Sequence, residues 1–163
     1  QCPRRCARSA ATEPPDTLVG RRLGRLPWTF YRAASVDVAP DVAPFDQNLD
    51  WIGFTDPVSG SAAGRWFNER VPLERIAARV NSVGAMARAV ACGLGAGILP
   101  SFVGDQMPGI KRIGGPISEA SSGLWLLTHP DLRRSVRMRA FLDFVGAELA
   151  KKRKLIEGEL PLA

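Results

Sequence analysis

The chain has 163 residues, 45% of them hydrophobic and 23% charged, which is globular material and excludes disordered and fibrous classes. Net charge is +6, but the basic residues are dispersed (Arg4 and Arg5, Arg21 and Arg22, Arg133 and Arg134, Lys151–Lys154). No aromatic residues interleave with them, so they read as solvated faces and not as a nucleic-acid surface. The length fits one compact domain or two small lobes.

Taken in chain order, residues 1–17 show no periodicity and carry Pro3, Pro14 and Pro15, so an irregular start is expected. Leu18–Leu23 and the aromatic-rich Leu26–Ala34 predict strands. Asp37–Pro44 is a tandem DVAPDVAP whose prolines predict a surface loop with at most one helical turn. Leu49–Phe54 predicts a buried strand. Asp56–Gly64 predicts a loop on its Pro, Gly and Ser content, and Arg65–Asn68 and Val71–Glu74 flank a tight connection. Ile76–Val80 is a further short strand.

Asn81 and Ser82 are good helix N-cap residues. After them Val83, Met86, Ala87 and Val90 recur at helical spacing, predicting a helix over Val83–Cys92 that Gly93 stops. Ala96–Leu99 predicts a short buried strand, and Pro100 opens another helix. Strands over Gly109–Ile113 and Gly123–Thr128 follow. Ser135 is placed to cap a last helix, with an apolar stripe of Val136, Ala140, Phe141, Phe144, Val145 and Leu149. Lys151–Lys154 complements the dipole at its far end. Strands alternating with helices predict an α/β architecture.

Catalytic and metal signatures are missing. Cys2, Cys6 and Cys92 are an odd count, which argues against a disulfide framework, and with His129 they do not make a four-ligand zinc site. Cys92 is expected to pack as a small buried hydrophobe. His129 is the single histidine, so any triad must use it, and its place before Pro130 reads as structural or exposed. No nucleophile elbow and no P-loop occurs. The glycines of Gly93–Gly97 follow a helix and lead into a strand, the reverse of a dinucleotide loop, so they read as a packing corner. No catalytic residue, no cofactor and no metal is expected, and an enzyme is disfavoured. The longest uncharged stretch, beginning at Ala89, is broken by Gly93, Gly95, Gly97 and Pro100, so no membrane span is expected. No leader opens the chain, and a cytoplasmic location is expected. The strand-to-helix turn at Asn81 and Ser82 is the most informative spot. Free backbone amides and the positive end of the helix dipole favour a carboxylate there, against the plainer alternative that the two residues only cap the helix.

The run RVNSVGAMARAVACGLGAGILPSFVGD (Arg79–Asp105) resembles the effector domain of LysR-type transcription regulators. Their second subdomain carries a strand ending in Asn-Ser, a helix ending in Ala-x-Gly-x-Gly and an Ile-x-Leu-Pro strand. Here these are Asn81, Ser82, Ala91, Gly93, Gly95, Ile98, Leu99 and Pro100. Leu124–Val145 resembles the family's return strand and last helix. LVGRRLGRLPWTFYRAAS and LDWIGF resemble its crossover into the second subdomain. The resemblance covers about residues 13–150.

That resemblance implies an α/β, periplasmic-binding-protein-like fold of two Rossmann-like lobes, the second complete and the first partial. Residues 28–122 are expected to form the second lobe, and residues 1–27 with 123–163 the partial first. It implies a small-molecule effector, an acidic metabolite, touching Asn81, Ser82 and Val83, with the strand end at Phe54 and Thr55 as a further wall. It implies a homo-oligomer, a dimer, with DNA reached only through an N-terminal helix-turn-helix missing here. The chain departs from the family in lacking that region and most of the first lobe. RRCARSAA keeps Arg8 but not the family's apolar positions, and a truncated gene or shifted reading frame is the expected origin. A solute-binding protein of the same fold, or a non-functional remnant of a regulator, remain as alternatives.

Overall fold

The computed structural model describes residues 8–11, 15–39 and 41–159, so Cys2 and Cys6 lie outside the described residues. The elements are β1 (Arg8–Ala11), β2 (Val19–Ala33), β3 (Trp51–Phe54), α1 (Ala62–Asn68), β4 (Ile76–Val80), α2 (Val83–Ala91), β5 (Gly97–Pro100), α3 (Ser101–Gly104), β6 (Ile110–Thr128), α4 (Val136–Lys151) and α5 (Arg153–Ile156). Short 3-10 turns stand at Pro44–Asp46, Leu73–Arg75 and Pro130–Arg134. Contacts divide the chain into two compact units. Unit 1 runs to Leu26 and resumes over Ser122–Glu159; unit 2 is Pro27–Ser121. β2 and β6 each pass from one unit into the other.

Unit 2 is built on parallel pairing. β3 lies parallel to β4, with Phe54 opposite Val80. On its other side Trp51 bridges Ala96 in parallel, the Ile52 N–H donating to the Ala96 carbonyl at 2.7 Å. β5 then pairs antiparallel with β2, Trp28 opposite Pro100 and Tyr31 opposite Gly97. Parallel neighbours need crossovers, and α1 and α2 supply them. β3 and β5 are apolar throughout, every residue buried, as expected of strands covered on both faces. Trp51 is fully buried among Phe30, Phe45 and Phe67, with ring centroids 5.4, 5.4 and 5.8 Å away.

α2 ends as its sequence predicts. Gly93 takes φ 77°, the left-handed conformation that glycine adopts without strain. Its N–H donates to the Val90 carbonyl and that of Leu94 to Ala89, the two bonds of a Schellman motif. Cys92 is exposed, against expectation: it stands past the last turn, on the side away from the buried Met86 and Val90.

α1 differs from the expected loop. Ser61 caps it, its hydroxyl accepting from the Gly64 N–H at 3.1 Å. Gly64 sits where a Cβ would lie 2.3 Å from the Val58 carbonyl oxygen, so this glycine permits close packing and not a break. Loss of the cap in Ser61→Ala is expected to cost about 1 kcal/mol, measured by urea denaturation.

In unit 1, β1 pairs antiparallel with β6, Arg8 opposite Leu126. α4 has the predicted length, but its apolar stripe is only partly covered: Val145 and Leu149 are half-buried, while Val136 is 72%, Phe141 48% and Phe144 65% exposed. Among the side chains described for this unit, the buried apolar ones are Leu26, Leu126 and Leu127, too small a surface to cover a long helix face.

Candidate functional site

β3 and β4 run side by side in the same direction, so their carboxyl ends meet at one edge of unit 2. The Thr55 N–H donates to the Val80 carbonyl at 2.8 Å, carrying the ladder one residue past β3 and setting Thr55 beside Asn81. The Thr55 hydroxyl leans on the same carbonyl at 3.4 Å. Thr55, Asn81 and Ser82 are exposed and Val83 is half-buried. Phe54 is buried, 1% exposed, with its ring edge-on to Trp28 at 6.1 Å. Its side chain therefore supports this edge from below, and only its backbone reaches it; the Phe54 carbonyl already accepts from Arg79 Nη1 at 3.3 Å.

α2 starts at this edge. Ser82 is extended (φ −152°, ψ 154°), and its hydroxyl accepts from the Ala85 N–H at 3.2 Å. The cap satisfies one of the orphan amides of the first turn. Those of Val83 and Gly84 have no partner within the helix. No acidic residue stands in that turn, so the positive end of the dipole is not offset locally. Gly84 faces open space: a Cβ there would meet only Arg88 Nη2, 3.9 Å away. Arg88 thus lays its guanidinium back over the first turn and adds a cation. Sequence reasoning did not single it out. Its position one turn into the helix, with side chains tilting towards the N-terminus, is the signal that could have found it. Across the edge, Asp56 contributes a carboxylate that accepts from the Ser59 hydroxyl within the loop after β3.

His129 is placed as a turn cap: its Nδ1 accepts from the Asp131 N–H at 3.4 Å and stands 3.2 Å from that carboxylate. Gly93–Gly97 form the corner between α2 and β5. Among the described residues no group of three or more His, Cys, Asp or Glu is arranged to hold a metal. No helix among them is long and apolar enough to cross a membrane.

The fold that carries this edge has solved relatives. The regulatory domain of CrgA, a LysR-type transcriptional regulator from Neisseria meningitidis, is similar with a TM-score of 0.65 and 17% identity, covering 86% of this chain and 72% of that one. The effector-binding domain of QuiR in complex with shikimate is similar at 0.60 and 18%, covering 88% and 70%. The Synechocystis PCC6803 CcmR regulatory domain in complex with 2-PG is similar at 0.55 and 16%, covering 85% and 71%. The chain thus spans about seven-tenths of these domains. At such identities the likeness shows the fold, the periplasmic-binding-protein-like α/β fold of LysR effector domains. A search of curated protein sequences found no match. The LysR substrate binding domain family matches residues 8–150, most of the chain, and the chain belongs to that family.

Proposed function

We propose that this chain senses a small acidic metabolite for a LysR-type regulator and holds the acid group at the N-terminus of α2. The observation that carries this reading is the conjunction at one sheet edge: Ser82 capping α2, a first turn with no acidic residue, and Arg88 over the same turn. An anion there gains hydrogen bonds from the amides and attraction from the dipole. Thr55 and Asn81 supply hydroxyl and amide groups for the rest of the ligand. Shikimate, the ligand of QuiR, is itself a carboxylic acid. On this reading unit 2 is the second effector lobe and unit 1 a part of the first. Homodimerisation, a cytoplasmic location and DNA contact through a helix-turn-helix outside these residues belong to the same proposal.

Thermal melting against a panel of small carboxylic acids, shikimate included, tests the site. A ligand at roughly 100 times its Kd is expected to add roughly 2.7 kcal/mol. Asn81→Asp sets a negative charge beside the helix terminus, where it stabilises the free protein slightly and repels an acid. It is expected to abolish most of the ligand-induced shift while leaving the unliganded melt unchanged or higher. A cooperative melt that no acid moves, or a shift that Asn81→Asp leaves intact, removes this reading.

A further inference from the structure

Unit 1 holds a cavity of about 540 Å³, unrelated to the α2 edge. Its walls are the start of β2, the end of β6, the turn before α4 and the first half of α4. Four arginines line it, Arg21, Arg133, Arg134 and Arg139, against one carboxylate, Asp143. Among the described residues none of the four is in an ion pair, although Asp143 shares their wall. Arg21 is held from behind: its Nη2 donates to the Leu142 carbonyl at 3.4 Å, and its guanidinium occupies the space a side chain at Gly146 would need.

A further observation points to a ligand. Thr128 is 2% exposed, and its hydroxyl has no hydrogen-bond partner among the described residues. A buried hydroxyl left so costs about 1–3 kcal/mol, and this one lines the cavity. A cluster of guanidiniums outside any ion pair among the described residues and an orphan hydroxyl in one cavity share one need, an anion with several acceptor oxygens.

We propose that this cavity is a binding site for a phosphate-bearing small molecule. Guanidiniums match phosphate oxygens in pairs, and the Thr128 hydroxyl can donate to one oxygen at the floor. Val19, Leu126 and Leu142 give the cavity an apolar side for the non-phosphate part. The proposal does not depend on the α2 site.

Inorganic pyrophosphate is the probe, titrated calorimetrically into the chain at matched ionic strength with chloride as the reference. Saturable binding is expected, with one site per chain. Charge-assisted hydrogen bonds imply that Arg133→Ala with Arg134→Ala weakens it about tenfold or more. Thr128→Val keeps the shape, removes the hydroxyl and is expected to weaken binding severalfold while raising the unliganded melting temperature. That rise excludes misfolding as the cause of lost affinity. Asn81→Asp is expected to bind pyrophosphate as the parent does, which separates this site from the α2 site. No saturable binding at matched ionic strength, or full affinity retained in either the arginine pair or Thr128→Val, overturns the proposal.

Discussion

Trp51→Ala is expected to cost about 4 kcal/mol, the upper range for removing a large buried aromatic. Trp51 opens β3, is fully buried and touches three other rings. Truncation leaves a cavity between strands paired on both sides, β4 on one and Ala96 on the other, and neither can move in without breaking its ladder. The melting temperature should fall by roughly 10 °C, read by far-UV circular dichroism. Trp51→Phe is the informative control. The indole Nε1 has no hydrogen-bond partner among the described residues, so removing it relieves an unmet donor and offsets part of the lost volume. A cost of about 1 kcal/mol is expected. Should Trp51→Phe cost as much as Trp51→Ala, packing volume is not what Trp51 supplies. The site follows from the same residue, because β3 delivers Thr55 to the edge beside Asn81.

The parts of the fold that were legible are those in which burial repeats with the period of the backbone. Val83, Met86, Ala87 and Val90 fall on one helix face, Met86, Ala87 and Val90 of them buried, and Gly93 ends the helix for the reason its type predicts. LDWIGF and GILP are continuous apolar runs because both faces of those strands are covered. The two long strands were legible only at their buried ends. β6 runs unbroken over Ile110–Thr128, but its middle exposes Gly114, Gly115, Pro116, Ser118 and Glu119. An exposed strand has no apolar signal, and glycine and proline there look like a turn. β2 was divided near Leu26 in the same way, as two strands where one runs from Val19 to Ala33. α1 was hidden by Gly64, a residue that reads as loop punctuation but serves close packing.

The candidate site divides along similar lines. Asn81, Ser82 and Val83 were legible because a strand end, a cap type and a helix start are adjacent in sequence. Arg88 needed a side-chain direction as well as a spacing. The arginine cavity was not legible at all: Arg21 is more than a hundred residues from Arg133, Arg134 and Arg139, and pairwise clusters of charge read as solvated faces. Only the pairing of chain ends in unit 1 brings them onto one wall. Thr128 gave no signal, since an unmet hydroxyl is a property of surroundings and not of type.

The second large effect is expected at Asp105, whose side chain is 6% exposed and ties three elements of unit 2 together. Arg112 of β6 grips it with Nε at 2.6 Å and with Nη2, and the Tyr31 hydroxyl of β2 donates to Oδ1 at 2.8 Å. Asp105 itself follows the last turn of α3. Asp105→Ala removes the Arg112 ion pair and the Tyr31 hydrogen bond together, so it is expected to cost about 3 kcal/mol, read from the urea midpoint. The chain contains one tyrosine, so phenolate absorbance reports Tyr31 alone. Burial is the main reason its pKa is raised well above the ordinary value near 10; the hydrogen bond and charge of Asp105 add to the rise, and Arg112 opposes it. The folded state thus keeps a proton that the unfolded state has lost. The stability this contributes is complete below pH about 10 and is lost as pH rises beyond it. Asp105→Ala should lower the Tyr31 titration partway towards the ordinary value, because burial persists when the carboxylate goes. Tyr31→Phe should remove this residue's share of the alkaline loss and leave the Arg112 pair in place, at a cost of about 1 kcal/mol. A phenol that titrates at its ordinary value in the folded parent protein would mean that Tyr31 is not sealed against Asp105, and the expected loss in Asp105→Ala would shrink to that of an exposed pair, below about 1 kcal/mol.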